Sequence, residues 1–325
     1  MKHRTVNVRS VSGLARDRAN HNDTVVLFGE VLADVFPERT VLGGAPFNVA
    51  RHLRAFGQNP VLISSLGSDA LHEEVLNMMT QCDMQLTGIQ CDHSHPTGRV
   101  QVHIEENGHR FEILPLQAYD FILPEIVHKT VQSVHPALVY FGTLAQRNEV
   151  SRQALKTLLN NTEAVKFLDI NLRTPWYDEN TLRKSLDFAN IVKLNDDELG
   201  ILAEMFALHG SNPDEQVMDL MNRFNIEQIV ITCGDKGAWQ INKDGNKIEA
   251  GITKKITKLV DTVGAGDGFA AVCILGTLKQ WPMNKTLERA ISFAGAICGI
   301  RGAIPDHADF YEPFIQEWGF EKATY

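Results

Sequence analysis

The run Asp261-Thr262-Val263-Gly264-Ala265-Gly266-Asp267-Gly268-Phe269 sets three small residues ahead of one carboxylate and opens an apolar segment of helical character. Helix N-termini carry unpaired backbone N–H groups at the positive end of the helix dipole, so anions settle there. Gly264, Ala265 and Gly266 leave those groups open to a phosphate, while Asp267 places a negative charge inside the anion site. A carboxylate there makes chemical sense if it takes a proton from an attacking hydroxyl while the N–H groups hold the phosphoryl charge. An ordinary Asp is already ionised at neutral pH, so such a base needs position more than a shifted pKa. The same run also reads as a tight turn with a helix cap.

A second motif, Gly43-Gly44-Ala45-Pro46-Phe47-Asn48-Val49-Ala50, opens a helix expected over 45–56 and is followed by Gly57, a strand and Gly67. Paired glycines allow backbone angles closed to other residues and suit a hinge or a close approach to a ligand. Asn48 offers a donor and acceptors to hydroxyl groups. In this order, near opposite ends of the chain, the two motifs resemble the two signatures of the ribokinase-like (PfkB) carbohydrate kinase family. Val272 stands where the second signature usually has Ala or Gly, a difference expected to touch packing alone. The resemblance spans roughly 25–314 and implies a three-layer α/β/α core with a mostly parallel sheet and a small β lid. It also implies ATP as co-substrate, Mg²⁺, and a monovalent cation, K⁺, beside the anion hole.

Within that resemblance Asp267 becomes the general base, and Gly264, Ala265 and Gly266 the anion hole for the γ-phosphate. Asp34, after the first strand and the pair Gly29-Glu30, matches a sugar-binding position, as does Asn48; Gly43, Gly44 and Arg99 are placed with them. Asn195-Asp196-Asp197-Glu198 resembles the family's N-x-x-E motif, putting Asn195 and Glu198 near Mg²⁺ through water, although an Asn cap before acidic residues also describes an ordinary helix start. Lys193, Asn195, Thr232, Gly234, Gly237 and Ala296 are assigned to the nucleotide, with Phe293 and Ile297 near its adenine, and Asp261, Val263 and Gly302 to the monovalent cation. Asp169-Ile170-Asn171-Leu172-Arg173 is similar to the D-x-N-x-R segment of fructokinases and 2-keto-3-deoxygluconate kinases. Its Arg173 could bind phosphate, bind a substrate carboxylate, or simply pack on Trp176.

The elements that must hold these residues alternate between β-rich runs and helical periods, as in a largely parallel sheet covered by helices. Strands are expected at 25–28, 61–65, 138–141, 165–170, 191–194 and 229–232, and helices at 45–56, 70–81, 152–159, 196–206, 214–224, 266–278 and 287–299. Strict alternation at 98–105, an Asn107-Gly108 turn and a return over 110–114 predict a hairpin. With 31–42 it would form a discontinuous lid, extending over 97–115, on a kinase domain of 23–325; residues 1–22 read as a poorly ordered polar tail. An exposed lid face would let two copies pair as a homodimer.

The chain has 325 residues and a net charge of −9, which argues against nonspecific attraction to nucleic acid or anionic membranes. No G-x-x-x-x-G-K-[ST] loop or G-x-G-x-x-G fingerprint occurs, and no apolar stretch could span a bilayer. Five cysteines without a C-x-x-C pattern suit reduced thiols and a cytoplasmic setting. Cys91, His93 and His95 alternate and could share a metal-binding face, but no fourth ligand lies nearby. The expectation is ATP-dependent phosphorylation of a primary hydroxyl of a small sugar, foremost D-fructose to fructose 6-phosphate. The alternatives are a 2-keto-3-deoxygluconate kinase, a ribokinase or other furanose kinase, and a sugar-binding regulator without catalysis.

Overall fold

Strand β1 (Thr24–Phe28) is buried along its whole length, as an apolar run at the centre of a parallel sheet must be. In the computed structural model, which describes residues 24–105, 108–252 and 259–320, β1 pairs in parallel with β4 (Asn59–Gly67) on one side and β8 (Leu138–Phe141) on the other. The expected tail over 1–22 and Asn107 of the hairpin turn lie outside the described residues. Beyond β8 follow β9 (Val165–Asp169), β10 (Ile191–Asn195) and β11 (Gln228–Thr232), all parallel; β5 (Ile89–Asp92) closes the far edge beside β4. Two antiparallel strands, β12 (Ala238–Asn242) and β13 (Lys247–Ala250), extend the β11 edge to nine strands.

Alternation along these strands builds two cores, one on each face of the sheet. Val26, Phe28, Val139, Phe141, Leu168, Val192 and Ile229 face one core. That core receives α3 (Pro124–Val134), α4 (Glu149–Asn160), α5 (Glu179–Phe188), α6 (Asp196–Met205) and α7 (Pro213–Phe224). Val25, Leu27, Leu138, Tyr140, Phe167, Ile191 and Val230 face the other. It is closed by α1 (Ala45–Ala55), α2 (Ala70–Gln81), α8 (Ala265–Leu278), α9 (Met283–Ile297) and α10 (Glu312–Trp318). The result is the ribokinase-like three-layer arrangement. Helix α8 is buried continuously from Gly268 to Gly276, so only its two ends reach a surface.

A separate four-stranded sheet, ordered β3-β2-β6-β7, forms the lid from β2 (Leu32–Val35), β3 (Thr40–Gly43), β6 (Gly98–Glu105) and β7 (Gly108–Ile113). Helices α3, α5 and α10 and strands β5, β12 and β13 are additions to the sequence-based expectation. Helix α4 begins at Glu149 rather than 152, because the Asn148 side chain accepts from Val150 N at 3.0 Å and starts the helix earlier. Strand order reverses between β4 and β8 on either side of β1, and open α/β sheets bind ligands beyond the strand ends at such a point.

Candidate active site

Asp267 lies in the first turn of α8 and accepts a hydrogen bond from Asn48 Nδ2 at 2.8 Å, across 219 residues of sequence. Asn48 lies in the first turns of α1, so the two motifs meet where two helix N-termini converge. Its other amide atom, Oδ1, is buried without a partner and is available to a ligand hydroxyl. Gly264 is the N-cap of α8 with φ 79°, and a Cβ there would stand 2.3 Å from Ala303 Cα. No other residue type fits that close approach. The first N–H groups of α8 have no intrahelical acceptor. Ala265 N donates to Thr262 O at 3.3 Å, which leaves Gly266 and Asp267 the less engaged donors of that turn.

A cleft of about 530 Å³ opens over this turn, lined by Glu30, Asp34, Asn48, Tyr140, Arg173, Gly264, Gly266 and Asp267 and roofed by Val100, Phe111 and Ile113 of the lid. Three carboxylates share it. Burial pushes Asp267 up to about 6, opposed by the Asn48 hydrogen bond. Burial likewise lifts Asp34 to about 6 and Glu30 to about 7, and the Arg173 charge holds both down. Position alone therefore does not describe Asp267, since enclosure also raises its basicity toward neutral pH. Trp176 is covered by Arg147, 4.4 Å from its ring, so Arg173 lines the cleft instead of packing there. Such a pocket can hold a polyhydroxylated molecule, keep one hydroxyl against Asp267, and present helix N–H groups to an anion.

The sequence matches the model of the pfkB family of carbohydrate kinases over residues 13–309. The chain belongs to that family. It is 27% identical to fructokinase-2 of Zea mays over 312 residues, covering 87% of this chain and 91% of that protein. Its fold is similar to that of a fructokinase with bound ATP from Xylella fastidiosa, with a TM-score of 0.78, 20% identity and coverage of 92% and 99% of the two chains. An aminoimidazole riboside kinase from Salmonella enterica, solved with its riboside and an ATP analogue, superposes with a TM-score of 0.73 at 19% identity, covering 90% of this chain and 99% of that one.

Beside the cleft of this carbohydrate kinase, alternation along β8, β9 and β10 turns Tyr140, Asp169 and Lys193 to the α8 face. Lys193 Nζ donates to both Asp169 oxygens at 2.9 and 3.0 Å, and Tyr140 OH donates to Oδ2 at 3.2 Å. A Cβ on Gly266 would stand 3.6 Å from Lys193 Nζ, so this ammonium backs the anion loop. Burial works against the Lys193 charge, but Asp169 more than offsets it and the lysine stays protonated. Asn195 and Glu198 form a capping box: Asn195 Oδ1 accepts from Glu198 N at 2.8 Å, and Glu198 Oε2 from Asn195 N at 2.9 Å. Glu198 Oε1 accepts from Leu172 N at 2.7 Å. Each Glu198 oxygen keeps a lone pair for a water of a hydrated Mg²⁺. Thr232 pairs in register with Asn195, continuing the row along the sheet edge toward Gly234 and Gly237. Asp261 accepts from Val263 N and Gly302 N, both at 3.1 Å, so the three residues assigned to a monovalent cation do converge.

Other expected residues sit elsewhere. Arg99 does not line the cleft: strand alternation turns it to the opposite lid face, where its guanidinium lies 3.5 Å from Asp69. Phe293 and Ile297 are fully buried core residues packed on Gly268, not an exposed adenine platform. His95 bonds Asp92 at 2.8 Å and stacks on Phe121, and no group of three or more metal-ligating side chains occurs among the described residues. Glu30, Asp169 and Tyr140 join the site without having been assigned to it. The Gly29-Glu30 dipeptide directly after a strand was the available signal for the first. For Asp169 and Tyr140 the signal was that they stand at strand ends. No described helix is long and apolar enough to cross a membrane.

Proposed function

We propose that this kinase transfers the γ-phosphoryl group of ATP to a primary hydroxyl of a small sugar, with D-fructose the foremost acceptor and fructose 6-phosphate its product. The observation that carries this reading is the Asn48–Asp267 hydrogen bond, which joins a hydroxyl-recognising amide and a proton acceptor at the mouth of an anion-binding helix. The acceptor's hydroxyls bond Asp34 and Asn48 near Gly43 and Gly44, and Arg173 steers the phosphates or an acidic substituent. Asp267 takes the proton of the attacking hydroxyl as its oxygen forms the new bond to phosphorus. The bond to the β-phosphate oxygen breaks, ADP leaves, and the N–H groups around Gly264, Ala265 and Gly266 stabilise the charge in flight.

The nucleotide lies along the sheet edge past Lys193 and Asn195 toward Thr232, Gly234, Gly237 and Ala296. Asn195 and Glu198 would hold, through water, a hydrated Mg²⁺ accompanying ATP, and that ion would supply charge neutralisation for the phosphates. A monovalent cation near Asp261, Val263 and Gly302 would orient the anion loop; exchanging K⁺ for tetramethylammonium should then lower turnover. The 27% identity to fructokinase-2 of Zea mays supports fructose, and the Asp169–Arg173 segment is compatible with it. An acidic sugar is the second reading, favoured by Arg173 in the cleft. ADP release measured across fructose, ribose and 2-keto-3-deoxygluconate, with Asp267→Asn as control, decides between them. Tight sugar binding without turnover would defeat the catalytic reading.

A further inference from the structure

The lid is attached to the core by chain crossings that stack on one another beside the cleft. The chain leaves β1 through Gly29 and Glu30 into the lid and returns from β3 through Gly44 into α1. A Cβ on Gly44 would stand 2.5 Å from Glu30 O, and a Cβ on Gly98, where β6 enters the lid, 2.5 Å from Val31 O. Backbone therefore packs on backbone at the hinge, with the Tyr119 ring also close at Gly98. Glu30 supplies a polar side-chain contact: its Oε1 accepts from Ala45 N at 3.3 Å. Ala45 is the first residue of α1, its N-cap is Gly44 without a side-chain cap, Pro46 brings no N–H, and the first turn contains no acid. Glu30 is thus an anion supplied from another element to an otherwise bare helix N-terminus. One turn later the same helix presents Asn48 to Asp267.

We propose that Glu30 is a positioning residue of this kinase, whose carboxylate clasps the first turn of α1 at the lid hinge and thereby sets the Asn48–Asp267 hydrogen bond. The proposal rests on Asp267 acting as the proton acceptor. Glu30 is buried, and enclosure pushes it up to about 7, with Arg173 opposing and Asp267 adding to the rise. Tyr119 and Tyr140 also feel its charge, and Asp34 lines the same cleft. Protonation of Glu30 on acidification would remove the charge from the clasp on Ala45 N and loosen it.

The test compares wild type, Glu30→Gln and Glu30→Ala in fructose-dependent ADP release between pH 5 and 9. In parallel, hydrogen exchange of a peptide spanning 43–48 is followed in the intact protein. Glu30→Gln keeps size and an acceptor oxygen, so it reports charge, and kcat should fall about tenfold, the scale of replacing a charge-assisted hydrogen bond by a neutral one. The KM for ATP should not move, and the acid limb of kcat/KM should lose one proton from its slope. Glu30→Ala should speed exchange over 43–48 by about tenfold or more as the capped amide is freed. Unchanged exchange in Glu30→Ala, or an unaltered acid-limb slope in Glu30→Gln, overturns the proposal. If wild type fails to turn over fructose, the acceptor assignment falls, while the exchange measurement still decides the role of Glu30.

Discussion

Replacing Asn48 by Leu isolates the bond on which the proposed chemistry depends. Leucine keeps the branched outline of the amide with greater bulk and no polar atom, so Asp267 stays enclosed while the donor at 2.8 Å is lost. That donor favours the ionised carboxylate, whereas burial favours the protonated one and currently prevails at about 6. A hydrogen bond to a charged group is worth ~1.5–3 kcal/mol, and 1.36 kcal/mol corresponds to one pH unit, so the acid limb of kcat/KM should move up by about one to two units. At pH 7 half or more of the Asp267 population would then be protonated and unable to accept the hydroxyl proton. The assay is coupled ADP release against pH, with the thermal midpoint confirming a folded variant. Sugar KM should rise at every pH, since the unpartnered Oδ1 is removed as well. An acid limb that stays in place, or moves down, would show that Asn48 does not govern the ionisation of Asp267.

Asp267→Asn should abolish turnover by about 10²–10⁴-fold yet stabilise the protein at alkaline pH. Its folded pKa of about 6 exceeds the ordinary aspartate value of 3.8, so the folded state binds the extra proton and stability is lost as pH rises through that window. The amide should therefore raise the thermal midpoint at pH 8, by the equivalent of about 1–3 kcal/mol, and give little gain at pH 3.5. Gly264→Ala must place a Cβ at φ 79° and 2.3 Å from Ala303 Cα, so both the midpoint and turnover should fall, the backbone conformation alone costing about 1–2 kcal/mol. Arg173→Met removes the charge that holds Glu30 and Asp34 down, so sugar KM should climb and its acid limb shift to higher pH; Arg173→Lys should recover part of the loss.

Much of this site was legible because its local chemistry is concentrated. A Gly-Ala-Gly-Asp run at the head of an apolar segment marks a helix N-terminus on either a capping or a catalytic reading, and Asp267 stands there. The parallel strands were equally visible as short apolar runs. Helix α5 was not, since Glu179–Phe188 is mostly polar and buries only Thr181, Leu182, Ser185 and Leu186. The β12–β13 hairpin went unread although Asp244-Gly245 marks its turn, because its strands lack strict alternation. Arg99 shows the converse difficulty. Alternation predicted a two-faced hairpin but could not say which face meets the cleft, and that choice depends on the register of β6 against β2. The contact between Asp169 and Lys193 required the pairing of β9 with β10, which is a property of topology rather than of either strand.

The charge balance of the cleft gives the site its order of events. Glu30, Asp34 and Asp267 line it together, Arg173 is the cation facing them, and Lys193 is committed to Asp169. An isolated polyphosphate would meet these acids at close range, where repulsion is strong in a partly enclosed pocket. A neutral sugar meets no such barrier, and each hydroxyl it donates to Asp34 or Asp267 replaces water that the carboxylate has lost through burial. Acceptor binding therefore relieves the cost of holding the acids ionised. In the proposed reaction the phosphate end would depend instead on backbone N–H groups, whose partial charges do not titrate, and on a cation travelling with the nucleotide. Sugar affinity should consequently be nearly insensitive to ionic strength while ATP affinity falls as salt screens its charge; isothermal titration with each ligand alone measures both. Equal salt dependence for the two ligands would contradict this division of labour between side chains and backbone.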